Sequence, residues 1–157
     1  MLQHRSSKTL MRDAKLSPGK LRSCYVQLVV AMRAMYQRAR LVHGDLSEYN
    51  VLYNRGRCYI IDVGQAVDLG HPKGLQLLRR DCRTLTNFFA ARSRRMDITF
   101  GMLTVDQLVA FITEPDVGDQ QASSAEYKRE AMDNADIDAA AGKRVKRLLE
   151  KAMQTSR

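Results

Sequence analysis

Between Leu41 and Val63 the hydrophobic period of the chain changes, and the polar loop inside that stretch carries most of its chemistry. Upstream, Ser17-Pro18 opens a helix: serine suits an N-cap, and proline suits the first helical position, where its missing N–H costs nothing. Leu21, Tyr25, Leu28, Met32, Met35 and Ala39 then recur at alternating steps of four and three, which predicts one buried stripe running through about Arg40. Beyond it, Leu41-Val42, Val51-Leu52-Tyr53 and Cys58 to Val63 read as short strands. Asn54-Arg55-Gly56-Arg57 supplies the asparagine and glycine of a tight hairpin between the last two. A long helix followed by strand, polar loop and hairpin leaves few architectures open.

The helical period returns after His71-Pro72, with a proline expected in the first turn, through Leu75, Leu78, Cys82, Leu85 and Phe88-Phe89. Thr104 and Gln107 form a capping box ahead of Leu108, Phe111 and Ile112, and Glu114-Pro115-Asp116 ends that helix. Val117 to Ser124 reads as a polar linker, and Ser123 with Glu126 as a further helix start. Val145, Leu148, Leu149, Ala152 and Met153 then make an apolar stripe opposite Lys143, Arg144, Lys146, Arg147 and Lys151.

A length of 157 residues, 45% apolar and 27% charged, fits a single globular domain and excludes collagen-like, mucin-like and wholly disordered chains. Three widely spaced cysteines without a C-x-x-C pair indicate neither a disulfide framework nor a zinc site, and fit a reducing compartment. No segment approaches the roughly 18 apolar residues of a membrane span, so no membrane partner is expected. The first residues, with Arg5, Lys8 and Arg12 and no acid before Asp13, read as a frayed start. The net charge of +9 is unevenly spread: nine cations face two acids over residues 1–45, and five cations face ten acids over residues 91–142. Eighteen of the 26 cations are arginines, which favours an anionic partner, RNA or nucleotide ahead of membrane.

His43-Gly44-Asp45-Leu46-Ser47-Glu48-Tyr49-Asn50 is followed twelve residues after Asn50 by Asp62, expected at the end of an apolar strand. Phosphoryl transfer from ATP needs an acceptor held in line and metal ions that neutralise charge on the phosphates. An Asp and an Asn five apart in one loop divide those tasks: Asp45 orients and deprotonates the acceptor, and Asn50 and Asp62 offer the hard oxygen ligands that Mg²⁺ prefers. This is the H-x-D-x-x-x-x-N pattern of a kinase catalytic loop, and Asp62-Val63-Gly64 has the D-x-G form of its metal-binding turn. His43 is read as a structural hydrogen-bonding residue, and Tyr49 as packing.

The chain resembles the RIO-type atypical protein kinases, most closely their archetypal subfamily. The resemblance rests on Leu41-Val-His-Gly-Asp-Leu-Ser-Glu-Tyr-Asn50, Tyr59-Ile-Ile-Asp-Val63, Gln65, His71-Pro72 and Arg80-Asp-Cys82 before Phe88-Phe89. It extends upstream through Lys15-Leu-Ser17 and Met32 to Tyr36, and downstream through Thr104 to Pro115. It implies a cytoplasmic, ATP- and Mg²⁺-dependent serine/threonine kinase or ATPase acting on a pre-40S ribosomal particle or another protein substrate. By that likeness Asp45 corresponds to the catalytic aspartate, Asn50 and Asp62 to the nucleotide-metal ligands, and Asp62 also to the acceptor of an aspartyl-phosphate. Ordinary serine/threonine kinases carry a lysine two positions after the catalytic aspartate; Ser47 stands there, and no replacement cation is visible in the sequence. Few residues separate Asp62 from His71, too few for a peptide-holding activation segment, which favours a switch driven by ATP hydrolysis.

Gly64 and Ala66 stand where the family more often has serines, and Gly64 is expected to loosen its turn. The fold class expected is α+β and mainly helical: a kinase-like C-lobe whose small β-hairpin carries the catalytic and metal-binding residues. An N-lobe is expected to be absent, because the residues before His43 are taken up by one helix and a leader. The expected organisation is a divergent leader over 1–11, the C-lobe over 12–116, and over 117–157 a polar linker and a basic amphipathic tail with weak RNA affinity. A truncated chain of this kind is expected to be inactive alone. The alternatives are a non-catalytic, kinase-derived module that binds a pre-ribosomal particle, and a small-molecule kinase of the aminoglycoside or choline type. Enzymes of the latter kind usually follow the metal aspartate with tryptophan, which this chain lacks.

Overall fold

The structure is a computed structural model that describes residues 8–115 and 135–155. In chain order its elements are β1 (Thr9–Leu10), α1 (Pro18–Gln37), β2 (Leu41–Val42), β3 (Val51–Asn54), β4 (Arg57–Ile60), a 3-10 turn (Val63–Gln65), β5 (Val67–Asp68), α2 (Gly74–Arg95), α3 (Val105–Thr113) and α4 (Ala135–Thr155). Helices dominate and two small antiparallel sheets complete the fold, one ordered β1-β3-β4 and the other pairing β2 with β5.

The helix opened by Ser17-Pro18 is buried on more than the single stripe its periodicity predicts. Besides Leu21, Tyr25, Leu28 and Met32, the side chains of Cys24, Val26, Val29, Val30 and Arg33 are buried. The reason is position: α1 packs against β2 and β4 as well as α3 and α4. Ser17 caps it through extended backbone alone, its hydroxyl making no capping bond. The helix ends at Gln37 rather than near Arg40, because Arg40 takes a left-handed φ of 58° that turns the chain into β2 and leaves Ala39 exposed.

Three other expectations change. The supposedly frayed start contributes an edge strand, with Thr9 opposite Tyr53, Leu10 opposite Leu52, and the Met11 N–H donating to the Val51 carbonyl at 2.8 Å. The strand from Cys58 stops at Ile60, not Val63: the Ile61 N–H makes the last cross-bond, to the Asn50 carbonyl at 2.9 Å, and the left-handed backbone of Asp62 (φ 57°) then turns the chain away. Pro72 lies in a turn closed by the Gly74 N–H on the His71 carbonyl, and α2 starts only at Gly74. Leu75, in the overhanging first turn of α2, is 62% exposed, while Leu78, Cys82, Leu85 and Phe89 are buried.

The hairpin turn forms as its sequence predicts, with Arg55 and Gly56 both at positive φ. The capping box of α3 also forms: Thr104 accepts from the Gln107 N–H at 3.2 Å, and Gln107 accepts from the Thr104 N–H at 2.9 Å. The core centres on Tyr25, whose ring meets Phe89 and Phe100 edge-on and whose hydroxyl accepts the Leu103 N–H at 3.1 Å. Val145 and Leu149 of α4 are fully buried, and α4 packs on α1. Arg144, expected among the outward cations, is exposed, pairs with Glu114 and lies over the Phe111 ring. The expected linker at Val117 to Ser124, the helix start at Ser123 and Glu126, and the side chains of Ala152 and Met153 lie outside the described residues.

Candidate active site

Gly44 explains how two distant stretches meet. Its φ is +79°, and a Cβ at this position would stand 2.7 Å from the Gln65 carbonyl oxygen. Only glycine permits both the conformation and that approach, so the Asp45 loop presses directly against the turn that follows Asp62.

His43 joins the same two stretches from beneath. It is buried, its Nε2 lies 3.1 Å from the Ile61 carbonyl oxygen, and its Nδ1 accepts the Asp45 N–H at 3.3 Å. With Nδ1 accepting, Nε2 carries the proton and donates to Ile61, a neutral tautomer fixed by its partners. The structural role expected of His43 follows from this geometry. Tyr49, read as packing, is 53% exposed and lies under the Arg12 guanidinium at 5.0 Å.

Asn50 is the third tie. Its side-chain amide donates to the Asp45 carbonyl at 2.8 Å, while its own carbonyl accepts from Ile61, the residue before Asp62. With Nδ2 committed inward, Oδ1 is the atom left to meet a cation. Asp62 is exposed, and its left-handed backbone is one that aspartate tolerates better than most residues. Gly64 does not use the freedom expected of it: it has no positive φ, and a Cβ there would meet Asp62 Oδ1 at an ordinary 3.5 Å.

Among the described residues no group of three or more His, Cys, Asp or Glu side chains could hold a metal ion. One carboxylate and one amide oxygen on adjoining segments do fit Mg²⁺, which keeps several waters and is bound through one or two carboxylates together with substrate phosphates.

Two residues of α2 complete the site and were not assigned roles from sequence. The carboxylate of Asp81, 1% exposed, accepts the Gly44 N–H at 2.8 Å on Oδ2 and the Leu46 N–H at 3.0 Å on Oδ1. Burial pushes the Asp81 carboxyl up from its usual range, opposed by those two N–H bonds and by the nearby Arg80 guanidinium. Arg80 donates to the Gly44 carbonyl and brings Nη2 to 3.9 Å from Asp45 Oδ1. A cation therefore does stand beside Asp45, delivered by α2 rather than by the loop position Ser47 occupies. Asp45 itself is 62% exposed at the side chain, open to an incoming substrate. The signal for Asp81 was an acid set in the buried stripe of Leu78, Cys82 and Leu85.

The model of the RIO domain matches residues 3–101. The chain is 41% identical over 126 residues to the serine/threonine-protein kinase RIO1 of Homo sapiens, covering 80% of this chain and 21% of that protein. It is 40% identical over 104 residues to the serine/threonine-protein kinase rio1 of Dictyostelium discoideum, covering 66% of this chain and 17% of that one. The chain thus spans about a fifth of the length of these curated relatives. Among solved structures it resembles the Rio2 kinase of Chaetomium thermophilum, captured with ADP, Mg²⁺ and a phosphoaspartate, at a TM-score of 0.52 and 21% identity over 96% of this chain and 44% of that one. At that identity the likeness establishes a kinase-like fold. Matched by the RIO domain over most of its length, and by RIO1 kinases at about 40% identity, the chain belongs to the RIO family of serine/threonine-protein kinases.

Proposed function

We propose that this chain supplies the catalytic-loop side of a RIO-type active site, the C-lobe of residues 12–116 with its hairpin. Asp45 orients and deprotonates the acceptor, and Asn50 and Asp62 hold Mg²⁺ on the phosphates of ATP. The observation that carries this reading is the double attachment of Asn50, by its amide to the Asp45 backbone and by its carbonyl to Ile61. It joins the proposed acid–base residue to the proposed metal turn without any bridging ligand. The bound metal would offset charge on the transferring phosphoryl group.

Asp62 is also proposed as a phosphate acceptor. A carboxylate oxygen attacks the γ-phosphorus, the bond to the β–γ bridging oxygen breaks, and ADP leaves; water then cleaves the acyl phosphate. Its exposed position and left-handed backbone support this role, as does the phosphoaspartate in the Rio2 complex. The family likeness extends the proposal to maturation of a pre-40S particle in the cytoplasm. ATP turnover is proposed to need the parts of the relatives beyond the span matched here, and the chain alone is expected to turn over no ATP.

The test is to exchange this chain for the matching segment of human RIO1 and incubate the chimera with γ-labelled ATP and Mg²⁺. Label that is released by hydroxylamine and lost in Asp62→Asn is the expected result. Label on serine or threonine alone, unchanged in Asp62→Asn, would overturn the acceptor role.

A further inference from the structure

The loop that carries Asp45 brings no cation with it: from His43 to Asn50 its charged residues are Asp45 and Glu48. Helix α2 supplies one. Arg79 and Arg80 are neighbours in sequence, but a helix turns by about 100° per residue and sends them to different partners. Arg79 pairs with Asp106 in the first turn of α3. Arg80 instead donates from Nη2 to the Gly44 carbonyl and brings the same nitrogen to 3.9 Å from Asp45 Oδ1.

The loop is fixed without this charge. Asp81 already holds the N–H groups of Gly44 and Leu46. The separation of Arg80 from Asp45 exceeds hydrogen-bond length and both side chains are more than half exposed, so the ion pair adds little to stability. A guanidinium carries its N–H donors in a planar fork, and both contacts of Arg80 fall on Nη2. That leaves Nη1 and Nε as further donors on a side chain 57% exposed.

We propose that Arg80 is a catalytic residue of the phosphoryl transfer, its guanidinium donating to the oxygens of the transferring group beside Asp45; this rests on the phosphoryl-transfer reading of the site. As the acceptor oxygen bonds to the γ-phosphorus, the bond to the β–γ bridging oxygen breaks, ADP leaves with that electron pair, and the acceptor's proton passes to Asp45. Charge meanwhile spreads over the equatorial oxygens of the transferring group. Protonation makes Asp45 neutral, so the guanidinium loses one anionic partner at the moment another forms beside it. An interaction that strengthens in the transition state raises kcat rather than tightening substrate binding, and a planar fork matches phosphate oxygens. The charge that Ser47 cannot provide thus comes from α2.

The test uses the chimera with human RIO1 in its unsubstituted, Arg80→Lys, Arg80→Gln and Asp45→Ala forms, each checked by circular dichroism. Arg80→Gln should lower kcat by about 10²-fold with the KM for ATP within about threefold, and Arg80→Lys, which keeps the charge and loses the fork, should lower it by about tenfold. Inhibition by Mg²⁺, ADP and aluminium fluoride, a planar mimic of the transferring group, gives a readout that loop bracing would not move. Arg80→Gln should weaken that inhibition by about tenfold or more while ADP alone binds as before. Turnover of Arg80→Gln within about twofold of the unsubstituted chimera, with Asp45→Ala inactive, would overturn the role of Arg80 and leave the site reading standing. A raised KM at unchanged kcat, or a lowered kcat with aluminium fluoride inhibition intact, would overturn it equally, the first as substrate binding and the second as loop bracing. A folded chimera whose turnover is absent, or survives Asp45→Ala, would overturn the site reading and this proposal with it.

Discussion

Asp81 grips the backbone on both sides of Asp45. One carboxylate oxygen takes the N–H of Gly44 and the other that of Leu46, so the proposed catalytic residue is suspended between two anchored peptides. The arrangement separates duties between two acids. Asp81 is buried and holds the loop; Asp45 is exposed and left free for chemistry.

Removing that grip should be costly. Asp81→Ala leaves two buried N–H groups without acceptors, a loss of about 2–5 kcal/mol, and Asp81→Asn, which keeps a single acceptor oxygen, about half as much. Urea unfolding of the three chains measures both values. A loss below about 0.5 kcal/mol in Asp81→Ala would mean that the loop does not depend on this carboxylate.

The same residue gives stability a pH dependence. Burial raises the folded pKa of Asp81 above its unfolded value near 3.8. A raised folded pKa means that the folded state holds the proton more tightly, so this contribution is fully present below the unfolded pKa and is lost as pH rises through the folded one. Unfolding free energies of the wild type and Asp81→Asn, compared from about pH 3.5 to 7, should show the wild type losing ground to the variant with rising pH. The opposite slope would mean that the N–H bonds outweigh burial.

Gly44 and Gly56 make a matched pair of positive-φ glycines in different surroundings. At Gly56 a Cβ would meet nothing, so Gly56→Ala should cost about 1 kcal/mol for conformation alone. At Gly44 it would strike the Gln65 carbonyl, fixed backbone rather than a flexible side chain, and Gly44→Ala should cost about 2–4 kcal/mol. Thermal or urea unfolding ranks the two, and equal losses would contradict the close approach that joins the two segments.

Much of this arrangement was legible because its signals are local. The hairpin turn is dictated by Asn54 to Arg57 and the α3 start by Thr104 with Gln107, while the spacing of Asp45 and Asn50 is what suggests the proposed loop chemistry. What was missed depends on contacts far apart in the chain. Thr9–Leu10 becomes a strand only because β3 offers it an edge, and Arg80 reaches Asp45 only because α2 folds back under the loop. The end of β4 is not legible in the sequence because Ile61 and Val63 continue the apolar run, while the left-handed turn at Asp62 is a backbone event that apolar periodicity does not register. Asp81 was legible in principle, as an acid in a buried helical stripe, but its partners are backbone N–H groups that carry no sequence signature.

Asp45, Asn50 and Asp62 are proposed to act as one phosphoryl-transfer centre, and the decisive measurement is Mg²⁺-dependent ATP turnover by the chimera of this chain with human RIO1. Turnover should be measurable and should fall by about 10²-fold or more in each of Asp45→Ala, Asn50→Ala and Asp62→Asn, with circular dichroism unchanged in all three. Turnover within about twofold of the unsubstituted chimera in Asp62→Asn and Asn50→Ala would contradict it, since variants lacking a Mg²⁺ ligand cannot hold the charge on the transferring phosphate.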